Sequence, residues 1–402
     1  MKNNMKYLFV GLIALLLCGC ANNKPVEEEQ KPTPVEPEEE IIIPSGYVAE
    51  KANSMCFDED DFVRLYNYCP SVIVEGHEAH VYYCTSMIPD KAGADDRIGY
   101  RHGIKKDGVW YWGPKSLALD LGEGPDAWDR TDVCDPDVIK GEFLYNGETY
   151  NYLMTYLGCW TPGNYENAYG FAVSKTPAGP FLRVEGLCPM YDFWTLNPGY
   201  EYKGYDDPNT SIWGWGQSSM ISIDKKGKVL VFNTGRSSTG QRVELWDFSN
   251  LNDPKMLWGN DMSNNGIIDL NGNTDYICNA QLVYDQRLHC FYMLSDVHPF
   301  DVTVVPENLP TETRITMIND FGSESIGDCF KNSKAYWTTL GAVSPDNTGF
   351  PKNSNTCFER DAYGWLVDPN ANSIDILYSA VPAGVGNPWI FAFRIYRMKF
   401  EF

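Results

Sequence analysis

The chain has 402 residues and a formal charge of −22, with 32 Lys and Arg against 54 Asp and Glu. A surface this acidic repels phosphate backbones, which excludes nucleic acid as a partner. Aromatic residues are frequent (12 Trp, 25 Tyr, 19 Phe) and His is rare at 5. The His residues show no HExxH or HxxxH spacing, and no GxSxG elbow or phosphate-binding glycine loop occurs. Zinc hydrolases, α/β-hydrolases and P-loop enzymes are therefore not indicated.

Lys2 and Lys6 precede the apolar run Tyr7 to Leu17. A bilayer-spanning helix needs about 20 apolar residues, so this run has the length of a signal-peptide core instead. It ends in Leu17-Cys18-Gly19-Cys20, which resembles the lipobox of bacterial lipoproteins. The resemblance implies cleavage before Cys20, acylation of its thiol, and a stable hold on the lipid bilayer through more than one acyl chain. Ala21 to Glu40 follows, with seven Glu, two Lys and four Pro. It cannot bury enough apolar surface to offset its ordering entropy, and proline and like charge keep it extended. The expected organisation is a signal peptide over residues 1–19, a lipidated Cys20 with an acidic tether over 20–48, and one domain over 49–402. That domain would stand outside the cytoplasm on the bacterial cell envelope.

Beyond the tether, helical periodicity is scarce. What recurs is a pair of apolar, aromatic strand runs around a polar turn. Cys69 to Cys84 is the first copy and Asp135 to Tyr156 the second. Ser218 to Thr234, turning at Lys226-Gly227, is the third, Asn279 to Ser295 the fourth, and Gly364 to Ser379 the last. The spacing leaves room in each unit for a four-stranded antiparallel blade and a variable loop. The predicted fold is an all-β, five-bladed β-propeller; two packed β-sandwiches are the alternative. Radial closure protects edges that an open sheet of about twenty strands would expose. Pro70 and Pro136 begin the first two copies. Proline lacks the N–H needed inside a sheet and is confined to strand starts and edges. Both positions suit an innermost strand, and the residues beside them should face the mouth of the central channel.

Four motifs in order, Asp135-Pro136-Asp137-Val138-Ile139, Tyr150 to Tyr156, Gly170-Phe171-Ala172-Val173-Ser174 and Gly179-Pro180-Phe181, resemble the second blade of glycoside hydrolase family 43. Arabinanases and β-xylosidases belong to that family. The resemblance implies three carboxylates: a base on the first blade, an acid further on, and a third that tunes the acid. Inverting hydrolysis needs one group to activate water and one to protonate the leaving oxygen. A neighbouring negative charge keeps the acid protonated. The tuning position falls on Asp137, with Asp135 beside it. The base position is Cys69, in Tyr68-Cys69-Pro70-Ser71, and the acid position is Asn279, in Cys278-Asn279-Ala280-Gln281. Two of the three expected carboxylates are thus replaced. Asp132, Glu324, Asp328, Glu359 and Asp361 are candidate substitutes, and Glu359 precedes the fifth copy directly.

Flat aromatic faces pack on the apolar faces of sugar rings. Trp160, Trp213 and Trp215, with Gln217 as a hydrogen-bonding group, are the expected substrate contacts, beside Asp137, Asp135 and Glu359 as catalytic candidates. Ten cysteines remain after Cys18 and Cys20. An exported chain permits disulfides, and the lack of any CxxC pair argues against a zinc cluster. No cofactor or metal is expected, although Asp206-Asp207-Pro208-Asn209 could coordinate Ca2+ through oxygen. The expected function is recognition of a poly- or oligosaccharide by an envelope lipoprotein with a glycoside-hydrolase-like propeller, with hydrolysis by a rearranged set of carboxylates left open. A non-catalytic carbohydrate-binding protein and an adhesion or structural propeller are the alternatives.

Overall fold

The computed structural model describes residues 40–51, 66–86, 95–159, 167–191, 215–235, 241–262, 266–275, 277–301, 303–307, 309–331, 336–385 and 392–402. After the short strand β1 (Val48–Ala49), the first blade holds β2 (Asn67–Glu75), β3 (Glu78–Thr85), β4 (Arg97–Lys106), β5 (Val109–Trp112) and β6 (Ser116–Leu119). The second blade is β7 (Asp132–Tyr145), β8 (Glu148–Cys159), β9 (Ala168–Ser174) and β10 (Leu182–Arg183). The third is β11 (Trp215–Ser222), β12 (Lys228–Gly235), β13 (Arg242–Asp247) and β14 (Lys255–Asp261). The fourth is β15 (Gln281–Asp285), β16 (Cys290–Asp296), β17 (Thr313–Asn319) and β18 (Thr338–Val343), and the fifth is β19 (Lys352–Asp361), β20 (Ser373–Val381) and β21 (Arg394–Glu401).

Local sequence sets these hairpins. Asn146 and Gly147 join β7 to β8 with φ of 50° and 83°. Two consecutive positive φ values define the two-residue turn whose twist matches that of the flanking strands, and Asn-Gly adopts it most readily. Within each blade the pairing is antiparallel and follows chain order, except that β6 returns to pair with β4. The innermost strands of blades one and five also pair with each other, in parallel, with Glu359 opposite Val72 and Asp361 opposite Val74.

Apolar side chains from facing blades interleave in separate layers. Ile73, Tyr82 and Ile98 meet Val138, Met154 and Ala172 between blades one and two. Phe171 and Val173 meet Met220 and Val231, and Phe232 meets Leu282 and Phe291. Leu294 and Ile315 meet Phe358 and Ile376, and Val81 and Trp110 meet Leu377 and Ile395. An open row of five sheets would have four such layers; the fifth, between blades five and one, closes the ring. The fold is a five-bladed β-propeller, almost entirely β.

One predicted element is corrected. The sequence pattern puts the fifth copy at Gly364 to Ser379, but the innermost strand of that blade is Lys352–Asp361. Gly364 to Leu366 forms the connection after it, where Trp365 packs on Tyr284 with ring centroids 5.5 Å apart and donates its Nε1–H to the Ser222 carbonyl. Its apolar character serves the seam between blades rather than a strand.

Candidate functional site

The innermost strands share a local distortion. Cys69, Asp135, Asn279 and Asn355 have φ of 49°, 48°, 47° and 42°, a left-handed conformation uncommon outside glycine. In β2, β7 and β19 the pairing register slips at these residues, as it does in β11 between Trp215 and Ser218, where Gly216 holds the equivalent place. A bulge re-aims the side chain that starts it. Repeated at the same point of four innermost strands, and matched by the left-handed Asn279 just before β15, it sets Cys69, Asp135, Gly216, Asn279 and Asn355 at equivalent places of the five blades, a first ring. Pro70 and Pro136 occupy the second bulge position in blades one and two, where no ladder N–H is required.

Two residues further along lies a second ring: Ser71, Asp137, Ser218, Gln281 and Cys357. Asp137 is fully buried at its centre. It accepts hydrogen bonds from the Ser71 hydroxyl at 3.0 Å, the Gln281 amide at 3.1 Å and the Met220 N–H at 2.6 Å, and it pairs with the guanidinium of Arg360. Arg360, also fully buried, donates to the carbonyls of Met220 and Leu282, both at 3.0 Å. These contacts join all five blades through one carboxylate. Asp137 is a hub of the ring, and its oxygens are committed to protein donors.

The first ring has different chemistry. Asp135 is half-buried. Burial of its carboxyl, reinforced by the negative charge of Asp96, pushes it up to about 6 against a hydrogen bond from Cys69. The Cys69 thiol is fully buried, and burial followed by the Asp135 charge pushes it well above its ordinary range. Beside them a disulfide joins Cys84 of β3 to Cys134 of β7. Its sequence separation is 50, a loop whose closure stabilises by about 4 kcal/mol in the chain-entropy treatment. Asn279 donates its amide at 2.9 Å to Asp296, which also accepts from the Thr313 hydroxyl at 2.8 Å; burial pushes Asp296 up to about 6. Behind the ring, Asp96 accepts from the hydroxyls of Tyr66 and Tyr68. Its own N–H donates to Asp132 at 2.8 Å, and Asp132 is pushed up to about 8 by burial and then by the Asp96 charge.

The other predicted site residues fall in different places. Glu359 lies on β19, buried, paired with Arg397 of β21 and 3.9 Å from Lys105 of β4; it braces blades five and one. Trp215 is buried between Tyr191, stacked at 5.4 Å, and Tyr169 at 5.7 Å, in the layer between blades two and three. Gln217 is fully buried, and neither end of its amide has a hydrogen-bond partner among the described residues. Trp160, Trp213, Cys20 and Asp206 to Asn209 lie outside the described residues. Sequence reasoning missed Asn355 and Asp296. The only signal for Asn355 was an Asn at the level of Asn279 and Asp135, since these residue types tolerate the left-handed conformation best after glycine.

No family profile matches the chain, and no curated protein matches it. Solved structures do. A family 62 glycoside hydrolase in complex with xylotriose shares 11% identity over 88% of this chain and 97% of that one, with a TM-score of 0.53. Zg3597, a family 117 glycoside hydrolase from the marine bacterium Zobellia galactanivorans, shares 13% over 88% and 89%, with a TM-score of 0.49. A thermostable family-43 glycoside hydrolase shares 14% over 84% and 90%, with a TM-score of 0.47. The chain therefore has the propeller fold found among glycoside hydrolases. At these identities the likeness defines the fold, and the site must speak for the chemistry.

Proposed function

We propose that the protein is a glycan-binding lipoprotein of the bacterial cell envelope, which takes its ligand at the mouth of the propeller channel. The observation that carries this is the composition of the first ring. Its five positions hold a thiol, a glycine, two amides and one carboxylate, Asp135. Amides and a carboxylate are the groups that hydrogen-bond sugar hydroxyls, while hydrolysis through this ring would require a second carboxylate. Anchoring through Cys20 would present the mouth outside the cytoplasm, with the acidic tether as spacer. An adhesion or structural role requires no such polar mouth.

One observation favours a second reading, glycoside hydrolysis. Asp135 and Asp296 are both held near pKa 6, where a carboxyl can serve as a proton donor near neutral pH.

One experiment separates these readings. The purified full-length protein is run on affinity gels containing plant and host glycans, and the same glycans are incubated with it and assayed for released sugar. Retention without release is expected. Asp135→Asn should weaken retention at least about tenfold, because a charge-assisted hydrogen bond is lost. Sugar release that disappears in Asp135→Asn would establish hydrolysis, and no retention on any glycan would remove the binding reading.

A further inference from the structure

Cys69, Cys84 and Cys134 come from β2, β3 and β7, at sequence spacings that carry no metal-binding pattern, yet their side chains pack together. The sulfurs of Cys69 and Cys84 and a carboxylate oxygen of Asp135 lie within 4.8 Å of one another. Asp135 Oδ1 is 3.2 Å from Cys134 Sγ and 3.9 Å from Cys84 Sγ. A tetrahedral d10 cation, bound at about 2.3 Å to sulfur and about 2.1 Å to oxygen, needs its ligand atoms about 3.5–3.8 Å apart. The Asp135 contacts already approach that spacing. The one pair that cannot act as two separate ligands is Cys84 with Cys134, which are joined as a disulfide. Their Cα atoms are 5.1 Å apart, so the sulfurs can separate by side-chain rotation once the bond is broken.

We propose that the reduced protein binds one thiophilic divalent d10 cation through the sulfurs of Cys69, Cys84 and Cys134 and the carboxylate of Asp135. A thiol or phosphine reductant supplies two electrons, and two protons are taken up, as the disulfide becomes two thiols. The cation then displaces the protons of all three thiols into solvent. Three sulfurs and one hard oxygen suit Zn2+ and Cd2+, while all-oxygen ligation is what Ca2+ and Mg2+ require. The Asp135 N–H, 3.0 Å from Cys84 Sγ, supplies an outer hydrogen bond that would orient a thiolate there. Cys69 holds the position where the family resemblance expects a base, so this site puts metal ligation where proton transfer would be.

The test uses full-length protein under anaerobic conditions. Reduced with a phosphine, it should bind one equivalent of Zn2+ in competition with a chromophoric chelator, and Cd2+ should give a thiolate-to-metal charge-transfer band. The oxidised protein should do neither. Cys69→Ser leaves the disulfide intact. In its reduced form it should bind Zn2+ at least about tenfold more weakly, since even outer partners of metal ligands are worth that much. Cys84→Ser removes the Cys84–Cys134 disulfide and is kept under the same phosphine, because Cys69 and Cys134 remain beside each other. It should keep a Cd2+ band from two thiolates that weakens when Cys69→Ser is added. Equal binding by the oxidised and reduced protein, or an unchanged Cd2+ band after Cys69→Ser in either background, overturns the proposal.

Discussion

Replacing Arg360 by methionine tests whether the five blades are held by one buried ion pair. Arg360 and Asp137 are both fully buried, and the guanidinium reaches one carboxylate and two carbonyls at once. Met keeps most of the stem's volume but removes the charge and every donor. Asp137 keeps its bonds from Ser71, Gln281 and Met220, yet becomes a buried anion without a counter-ion. Removing one partner of such a pair costs about 3–5 kcal/mol. The folded unit Ile43–Phe402 has about 360 residues, and at about 2.1 cal/mol/K each its unfolding entropy is about 0.75 kcal/mol/K. The expected loss in Tm is therefore about 4–7 °C, measured by calorimetry at pH 7. Arg360→Lys should recover little, since one ammonium cannot reproduce a fork that spans three acceptors. Adding Asp137→Asn to Arg360→Met removes the stranded charge, so the double variant should be more stable than the two single losses predict by roughly 1–3 kcal/mol. A Tm within about 1 °C of the parent for Arg360→Met, or strictly additive losses in the double variant, would refute the hub.

Asp132, pushed up to about 8 by burial and the Asp96 charge, holds its proton more tightly folded than unfolded. The native state then binds the extra proton between about pH 4 and 8, and its contribution to stability falls as pH rises through that window. Asp132→Asn should gain on the parent by up to about 1.4 kcal/mol per pH unit there; parallel stability curves for the two proteins would rule this out. Gly141→Ala places a Cβ 2.1 Å from the Lys226 carbonyl oxygen of the next blade. It should lower the urea midpoint by an amount worth about 1–3 kcal/mol without changing the slope, and an unchanged midpoint would mean that blades two and three yield at this contact. Cys20→Ser removes the proposed acylation site, so the protein should move from the membrane pellet to the soluble fraction; continued pelleting would dismiss the lipid anchor.

The first four blades were legible because their innermost strands alternate with recognisable turns. Val72 to Val74, Val138 and Ile139, Met220 and Ile221, and Leu282 and Val283 are short apolar stretches, each followed by a polar turn and an aromatic second strand. The fifth blade hid from the same logic. Its innermost strand, Lys352–Asp361, reads Lys-Asn-Ser-Asn-Thr-Cys-Phe-Glu-Arg-Asp and yet is buried over almost its whole length. Several of its polar side chains meet other protein groups: Lys352 donates to the Leu309 carbonyl at 2.7 Å, and Asn353 to the Thr311 carbonyl at 3.0 Å. Burial of a strand among polar partners leaves no hydrophobic alternation to read. The apolar Gly364 to Leu366 segment was taken for the strand because a seam between blades and a strand interior select the same residues.

The same limit explains why sequence reasoning gave Asp137 more weight than Asp135. On a regular strand, residues two apart share a face, and Asp135 and Asp137 look interchangeable, with the second better placed for the family's tuning role. The bulge breaks that equivalence. Asp135, at φ 48°, is turned toward the sulfurs of Cys69, Cys84 and Cys134, whereas Asp137 resumes the regular pairing opposite Thr155 and is held by Arg360 and three other donors. A backbone sign invisible in sequence thus divides two neighbouring carboxylates into one set against the cysteines and one that holds the ring together. The division extends to other blades: Cys69 with Ser71 and Asn279 with Gln281 repeat it, the first of each pair left-handed and the second bonded to Asp137. A variant series that alters only the first members should change ligand or metal binding with little loss of stability. The same changes at the second members should lower Tm in proportion to the donors removed from Asp137.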